Sequence, residues 1–555
     1  MDYLVHVGLG NIKEIDSVSI YWPRGNKQTI NLLQANTTIE VSEEDARQNV
    51  IESSNIQRPP ILEEVTRADF IHKEDNFIAF NVERLIPRMV SGEGPKISTG
   101  DINGDRLTDF FVGGAAGQTG MIFIQDRSGN FRGIESTVMR QDSLSEDTAS
   151  ALFDADGNGS LDLFVVSGGQ EFSGDHSLLS PRLYLNDGKG NLRKAGGNLP
   201  KVFTNASCVR AGDVDGDGDL DVFIGGRVVA GQYGIDPPSF ILINNGHGVF
   251  SDGTHDFLSG PPASGTLGMV SDASWVDINM DGHLDLIVVG EWMPITIFIQ
   301  KDGVLLDETK NFGLANSQGW WNTLLVDDVD RDGDSDLLVG NLGLNCRLQA
   351  SMSEPVSMFI GDIDNNGSLD QVLTYYNQGK RYPFISRDQL VKQVPSLKRK
   401  FLKYANYENV TLEDIISMEQ QQKFIKKEAI TFASVYVENL GDGKFAIHEL
   451  PIEAQMFPIY AFCLDDLNAD KKLDILAVGN LYSIQPDIGR LDAGYGLTML
   501  GDGKGNFKMN VSDLSGFCVE GEGRDIQSLV TSKGERLFLV ALNNDSLKVF
   551  RRIKK

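Results

Sequence analysis

Apolar residues along most of this chain come in short runs rather than at helical spacing, and nearly every run ends in Gly or Asn. DFFVGG (109–114), DLFVVSG (162–168), DVFIGG (221–226), DLIVVG (285–290), DLLVGN (336–341), DQVLTY (370–375) and DILAVGN (474–480) have this form. Such runs read as buried strands. Others like them precede each by about a dozen residues, so each pair predicts two neighbouring strands joined by a polar loop. A second signal alternates with the first: RLYLNDGKGNLRKA (182–195), FILINNGHGVFSDG (240–253), VYVENLGDGKFAIHEL (435–450) and LTMLGDGKGNFKMN (497–510). Gly turns between alternating apolar residues predict hairpins. One unit is therefore four antiparallel strands. The fold class is all-β, a β-propeller of four-stranded blades.

Blade count and boundaries follow from the spacing. Counting inner hairpins favours eight blades, with the unit at Asp328 short of its outer hairpin; merging the units at Asp328 and Asp362 gives seven. The C-terminal segment after residue 528 predicts three strands. NFIAFNVERLIP (76–87) is expected to supply the fourth and close the ring, which removes free edges. Two stretches depart from the repeat. Residues 1–42 predict a small β domain with a Pro23-Arg24-Gly25 turn, and 43–75 a linker. Residues 386–427 predict a small helical insertion, with start signals at Ser386 and Thr411 and a break at Pro395.

The polar loops carry the chemistry. Seven share one spacing, with Asp at positions 1 and 9, Asp or Asn at 3 and 5, and a backbone carbonyl wanted at 7. The first two comprise Asp101, Asn103, Asp105, Leu107 and Asp109, then Asp154, Asp156, Asn158, Ser160 and Asp162. The third and fourth comprise Asp213, Asp215, Asp217, Asp219 and Asp221, then Asp277, Asn279, Asp281, His283 and Asp285. The fifth has Asp328, Asp330, Asp332, Asp334 and Asp336, and the sixth Asp362, Asp364, Asn366, Ser368 and Asp370. The seventh has Asp466, Asn468, Asp470, Lys472 and Asp474. Such a spacing wraps oxygens round a hard cation, and Ca²⁺ tolerates the irregular geometry better than Mg²⁺. Up to seven structural Ca²⁺ ions are expected. An EF-hand would need Glu at position 12; here that position is Val112, Val165, Ile224, Val288, Val339, Leu373 and Ala477. The loops at Asp213 and Asp328, with four or more carboxylates, are expected to bind tightest. The last, with Lys471 and Lys472, is expected to bind weakest.

Composition fits this reading. The formal charge is −28, and the seven loops hold 25 of the 78 acidic residues. Seven Ca²⁺ would return half of the deficit. No basic stripe suits nucleic acid. No apolar run has membrane-spanning length. Cys208, Cys346, Cys463 and Cys518 are too scattered for a disulfide framework and read as free thiols. MDYLVHVGLGN is not a signal peptide, yet weak multi-site calcium loops suit an extracellular medium. The expectation is a fragment of a longer exported chain.

The loops and strands resemble the FG-GAP/VCBS repeat proteins, which include the integrin α-subunit propeller, over residues 76–553. HVGLG (6–10) and YWPRG (21–25) resemble the back part of an ASPIC/UnbV domain, as in cartilage acidic protein. GEWMP (290–294), GWWN (319–322), GNLGLN (340–345) and the helical insertion resemble large surface proteins of Bacteroidetes-type bacteria. The resemblance implies calcium binding and an extracellular or bacterial cell-surface location, and no particular reaction.

Because all the loops share one face of the ring, the ends of the second strands emerge on the other. Arg227, Trp292, Trp320, Trp321, Asn341, Asn345, Asn480, Tyr482, Arg490 and Asp492 are expected there as a rim for carbohydrate binding or a protein ligand. The same residues have a plainer reading: Trp320 and Trp321 as blade packing, Asn341 and Asn345 as caps on backbone groups. Three functions remain open. The first is a binding or scaffold propeller that recognises a glycan or protein. The second is a polysaccharide lyase using Arg227, Tyr482, Arg490 and Asp492. The third is a purely structural part of a surface assembly, with partners docking on 386–427. No catalytic constellation such as GxSxG or HExxH occurs.

Overall fold

A computed structural model describes residues 7–10, 12–22, 27–43, 46, 60–258, 265–441, 443–510 and 515–553. The chain divides into two compact units, Met1–Pro59 and Pro60–Lys555. Among the described residues, the first unit is a hairpin of Glu14–Tyr21 on Lys27–Gln34, in the register Ile15↔Leu33 and Val18↔Ile30. The Pro23-Arg24-Gly25 turn lies outside the described residues.

Among the described residues the second unit holds eight antiparallel sheets, seven of four strands and one of five, but only seven are blades. Their innermost strands are Ile97–Gly100, Asp147–Phe153, Asn205–Gly212, Met269–Val276, Thr323–Asp327, Ile459–Asp465 and Glu522–Val530. Each packs on the next, and the last returns to the first. Hydroxyls stitch neighbours together: Ser98 Oγ donates to Ser150 O (2.9 Å), Thr148 Oγ1 to Ala206 O (2.8 Å), Ser207 Oγ to Val270 O (2.7 Å) and Ser271 Oγ to Trp321 O (2.7 Å). Asp525 Oδ2 accepts from Ile97 N at 2.7 Å and closes the circle. Around the axis these strands leave a cavity of about 390 Å³.

The eighth sheet corrects the count of eight blades. Blade five begins with Thr323–Asp327 and Asp336–Gly340, then waits for its outer hairpin, Val435–Asn439 and Phe445–Glu449. The chain between them builds a separate sheet from Val356–Gly361, Asp370–Asn377, Lys380–Pro383 and Ile425–Ala429. Period-two alternation lets this sheet bury both faces. Met358, Ile360 and Leu373 join a core with Trp292, Trp320, Phe432 and Tyr460 of the ring. Phe359 and Val372 face Leu390, Val394, Phe401, Leu412 and Ile415 of the helical insertion. That insertion starts as expected. Ser386 Oγ caps Arg387–Gln393, accepting from Gln389 N, and Pro395 opens a short 3₁₀ turn. It ends earlier than expected, because residues 425–427 are already strand.

The closing strand is also corrected. Leu62–Glu64 pairs with Lys548–Arg552, in the register Leu62↔Arg552 and Glu64↔Phe550. The expected linker therefore ends before this strand. Residues 76–87 do not close the ring. Ala79–Asn81 is a 3₁₀ turn, and Ala79, Ile86 and Val90 lie in the core between ring and inserted sheet. An apolar run specifies burial, and here burial comes from packing rather than pairing.

Candidate functional site

All seven acidic loops adopt one backbone. Positions 4 and 6 have positive φ throughout: Gly104 and Arg106, Gly157 and Gly159, Gly216 and Gly218, Met280 and Gly282, Arg331 and Gly333, Asn365 and Gly367, Ala469 and Lys471. Glycine takes this conformation without strain, whereas an L side chain costs about 1–2 kcal/mol. With the chain so wound, the position-1 carboxylate collects inward-pointing amides. Asp101 accepts from Gly104, Asp105 and Arg106 N, and Asp154 from Gly157, Asn158 and Gly159 N.

Position 9 is the anchor. Asp109, Asp162, Asp221, Asp285, Asp336, Asp370 and Asp474 are all fully buried. In each, Oδ2 accepts from the amide of position 2 at 2.9–3.1 Å. In the six ring loops Oδ1 accepts from the end of the blade's third strand, at Gln125, Asn186, Asn244, Gln300, Asn439 and Gly501 N. Burial pushes the carboxyls of these six up to about 6, with neighbouring loop aspartates adding to the push. Three of the same third strands reach into the preceding blade's loop: Asn186 Nδ2 to Ile102 O, Asn244 Nδ2 to Ala155 O and Gln300 Nε2 to Val214 O.

The loops fit a hard cation. Carboxylate oxygens lie within 4.8 Å of one another in Asp154/Asp156/Asp162, Asp213/Asp215/Asp221, Asp328/Asp330/Asp332 and Asp362/Asp364/Asp370. These are the four loops with Asp at position 3. Asp156 Oδ1, Asp328 Oδ1 and Asp364 Oδ1 are buried without a hydrogen-bond partner, which is costly unless a cation faces them. Where position 3 is Asn, as at Asn103 and Asn279, its amide instead donates to the position-5 carboxylate. At position 7 the amides of Leu107, Ser160, Asp219, His283, Asp334, Ser368 and Lys472 donate to position 5, which fixes the turn from which their carbonyls project.

The rim on the other face is mostly closed, contrary to expectation. Trp320 and Trp321 are 0% and 1% exposed, and Trp292, Asn341 and Asn480 are also buried. Trp320 stacks edge-on with Trp292 and Phe432 under the inserted sheet. Asn341 caps backbone: Oδ1 accepts from Trp320 and Leu342 N, and Nδ2 donates to Thr431 O and Ala433 O. Asn345 is exposed and donates to Met456 O, whereas Asn480 ties Gly494 to Gly521. Arg227, 2% exposed, pairs with Glu93 (2.8 Å) and Glu291 (3.1 Å). Glu291 also meets Arg88 and accepts from Tyr233 Oη at 2.6 Å. Although burial opposes it, Arg227 and Arg88 hold the Glu291 carboxyl below its ordinary value. Besides Asn345, the expected rim residues that reach the surface are Tyr482, Arg490 and Asp492, with the Arg490 guanidinium 3.4 Å over the Tyr482 ring and 3.2 Å from Asp492.

Arg88, Glu93 and Tyr233, which surround Glu291 and Arg227, were not singled out from sequence. Each is an unremarkable polar residue in a strand or loop, and only the topology brings them together. Cys208 and Cys463 are buried free thiols pushed up to about 12.

Residues 101–165, 154–224 and 277–339 match the FG-GAP-like repeat. The chain carries FG-GAP-like repeats. Residues 1–48 match the ASPIC and UnbV family. No curated protein matches the chain. The repeat matches fall on blades with the strand–loop–strand unit described above. Among the described residues, no helix is long and apolar enough to cross a membrane.

Proposed function

We propose that this FG-GAP-type propeller is a calcium-stabilised extracellular module that binds or scaffolds a partner. The carrying observation is the set of four carboxylate triplets, three of them with an orphaned buried oxygen, repeated on one backbone frame. When bound, Ca²⁺ supplies positive charge and coordination that hold each loop closed. Position 1 and position 3 carboxylates would hold the ion together with position 9, whose carboxylate also ties the loop to its sheet. The inserted sheet covers the rim first assigned to recognition, so the contact surface moves to groups that stay exposed. These are Tyr482, Arg490 and Asp492, and the outer side of the helical insertion, where Leu402 and Tyr404 project beside Lys398, Arg399 and Lys403.

A calcium-saturated glycan array, with a Tyr482→Ala/Arg490→Ala variant as control, tests the first of these surfaces. A hit lost in the variant supports glycan recognition there; a hit retained, or none, assigns recognition to the insertion and a protein partner. The lyase reading keeps one observation, the Arg490–Tyr482 stack beside Asp492. It requires an unsaturated, ultraviolet-absorbing product from a uronate polymer, and Arg227 is too deeply paired to serve it.

A further inference from the structure

We propose that the face opposite the ring loops holds a further divalent-cation site, with Glu74, Glu146 and Glu171 as its carboxylates and calcium as its natural occupant. Glu146 directly precedes the innermost strand of blade two, Glu171 follows that blade's second strand, and Glu74 comes from the segment after the closing strand. None belongs to the nine-residue repeat.

The geometry is built around a glycine. Glu146 Oε2 and Glu171 Oε2 lie 2.7 and 2.2 Å from the point that a Cβ on Gly169 would occupy, and Gly169 has φ +94°. Two carboxylates thus converge on a spot kept clear by the lack of a side chain. Glu74 is the strongest charged neighbour of Glu146. Among the described residues no Lys or Arg forms an ion pair with any of the three; Glu74 has only His72, at 3.9 Å. Arg524 is committed elsewhere, to Glu522 (2.7 Å) and to Asn480 O (2.9 Å).

Unpartnered oxygens point to a ligand independently of the charge count. Glu146 is 5% exposed, and its Oε1 has no hydrogen-bond partner. Two buried amide oxygens flank the carboxylates and are equally unpartnered, Asn205 Oδ1 and Asn543 Oδ1. Asn205 Nδ2 donates to Phe172 O, next to Glu171. Asn543 Nδ2 and Glu74 Oε1 share the space over Gly92, at 3.2 and 3.5 Å from its Cβ position, so the amide reaches this pocket through its nitrogen side. Glu171 Oε2 accepts from Gln170 N at 2.9 Å, which leaves its remaining lone pair and the Glu146 carboxylate for a ligand. Carboxylate oxygens supplemented by amide oxygens are the ligand set of a hard cation, and spread over several elements they suit calcium's adaptable shell.

Equilibrium dialysis of the full chain with radiolabelled calcium tests this. The Glu146→Gln/Glu171→Gln variant should bind one ion fewer than the parent. The Glu171→Gln variant, altered at a half-exposed position, should weaken one site at least tenfold while the chain stays folded. Asp213→Ala, in a ring loop, is the separate reference and should lose its own ion whatever happens at Gly169. Unchanged ion number and affinities in the glutamine variants, with Asp213→Ala still losing an ion, would overturn the proposal and leave these carboxyls as proton carriers.

Discussion

Six acidic loops lie within blades and one lies outside the ring, and the two kinds differ in what holds the ninth aspartate. In the ring, Oδ1 of that residue is bound by a backbone amide of its own blade's third strand, as Asn244 N binds Asp221 at 2.8 Å. In the inserted sheet no third strand runs there, and the side chain of Gln393, from the helical insertion, binds Asp370 Oδ1 at 3.0 Å instead. Gln420 adds a second strut, from Nε2 to Ile363 O at 3.1 Å. The ring loops are also tied to neighbouring blades, as in Asn244 Nδ2 to Ala155 O. The same metal motif therefore does two jobs: it fixes blades to one another, and it fixes a helical segment to a sheet.

Removing calcium should give the largest effect. Each site held at about a hundred times its dissociation constant contributes about 2.7 kcal/mol, so EDTA should lower the melting temperature by many degrees in a calorimetric scan. No shift would break the calcium reading of both loop kinds together. Asp221→Ala should cost about 2–5 kcal/mol, because it strands the buried amides of Val214 and Asn244. Its counterpart Asp370→Ala should leave the ring's melting transition nearly in place and make residues 386–424 accessible to protease. Equal global losses in the two variants would erase the distinction.

The ring aspartates also set a pH signature. Their folded values, raised to about 6 by burial, lie above the ordinary carboxylate value. The metal-free folded state therefore binds more protons than the unfolded chain, and its stability should rise as pH falls from about 7 toward 5. With calcium present the trend should reverse, since protons displace the ion. Melting temperatures against pH in EDTA and in calcium check both signs; parallel curves would show that these carboxyls do not face the metal.

Two smaller effects refine the comparison. Lys471→Gly should stabilise the last ring loop by about 1 kcal/mol, because Lys471 sits at φ +69° where glycine is at ease. Calcium affinity at that loop, measured by dialysis, should rise with it. Gln393→Ala should cost about 1 kcal/mol and speed hydrogen exchange in the insertion while leaving the ring amides unchanged.

Much of this was legible in the sequence because local rules decide it. The nine-residue spacing fixes each loop, the apolar position 12 excludes the helical alternative, and Asp-Gly turns mark the outer hairpins. What was not legible depends on long-range choice. Nothing near Asp328 says that its blade resumes at Val435, since a strand edge looks the same whether its partner is 10 or 100 residues away. The rim failed for a related reason. Trp292, Trp320 and Arg227 carry the chemistry of a binding surface, and only the tertiary structure shows that the two tryptophans pack on each other and that Arg227 is paired with Glu93 and Glu291. The packing and capping readings of Trp320, Trp321 and Asn341 were the ones the structure supports.

The closing strand has a consequence for synthesis. Leu62–Glu64 is made early and finds its partner only when Lys548–Arg552 emerges at the far end of the chain. Until then blade seven does not exist, and a bare strand edge waits through the making of six blades. Two of its three residues are glutamates, which later meet Arg551 and Lys548. Before those partners arrive, their charge keeps the waiting edge from pairing with a neighbouring chain, so the ion pairs that finish the ring also protect it while it is unfinished.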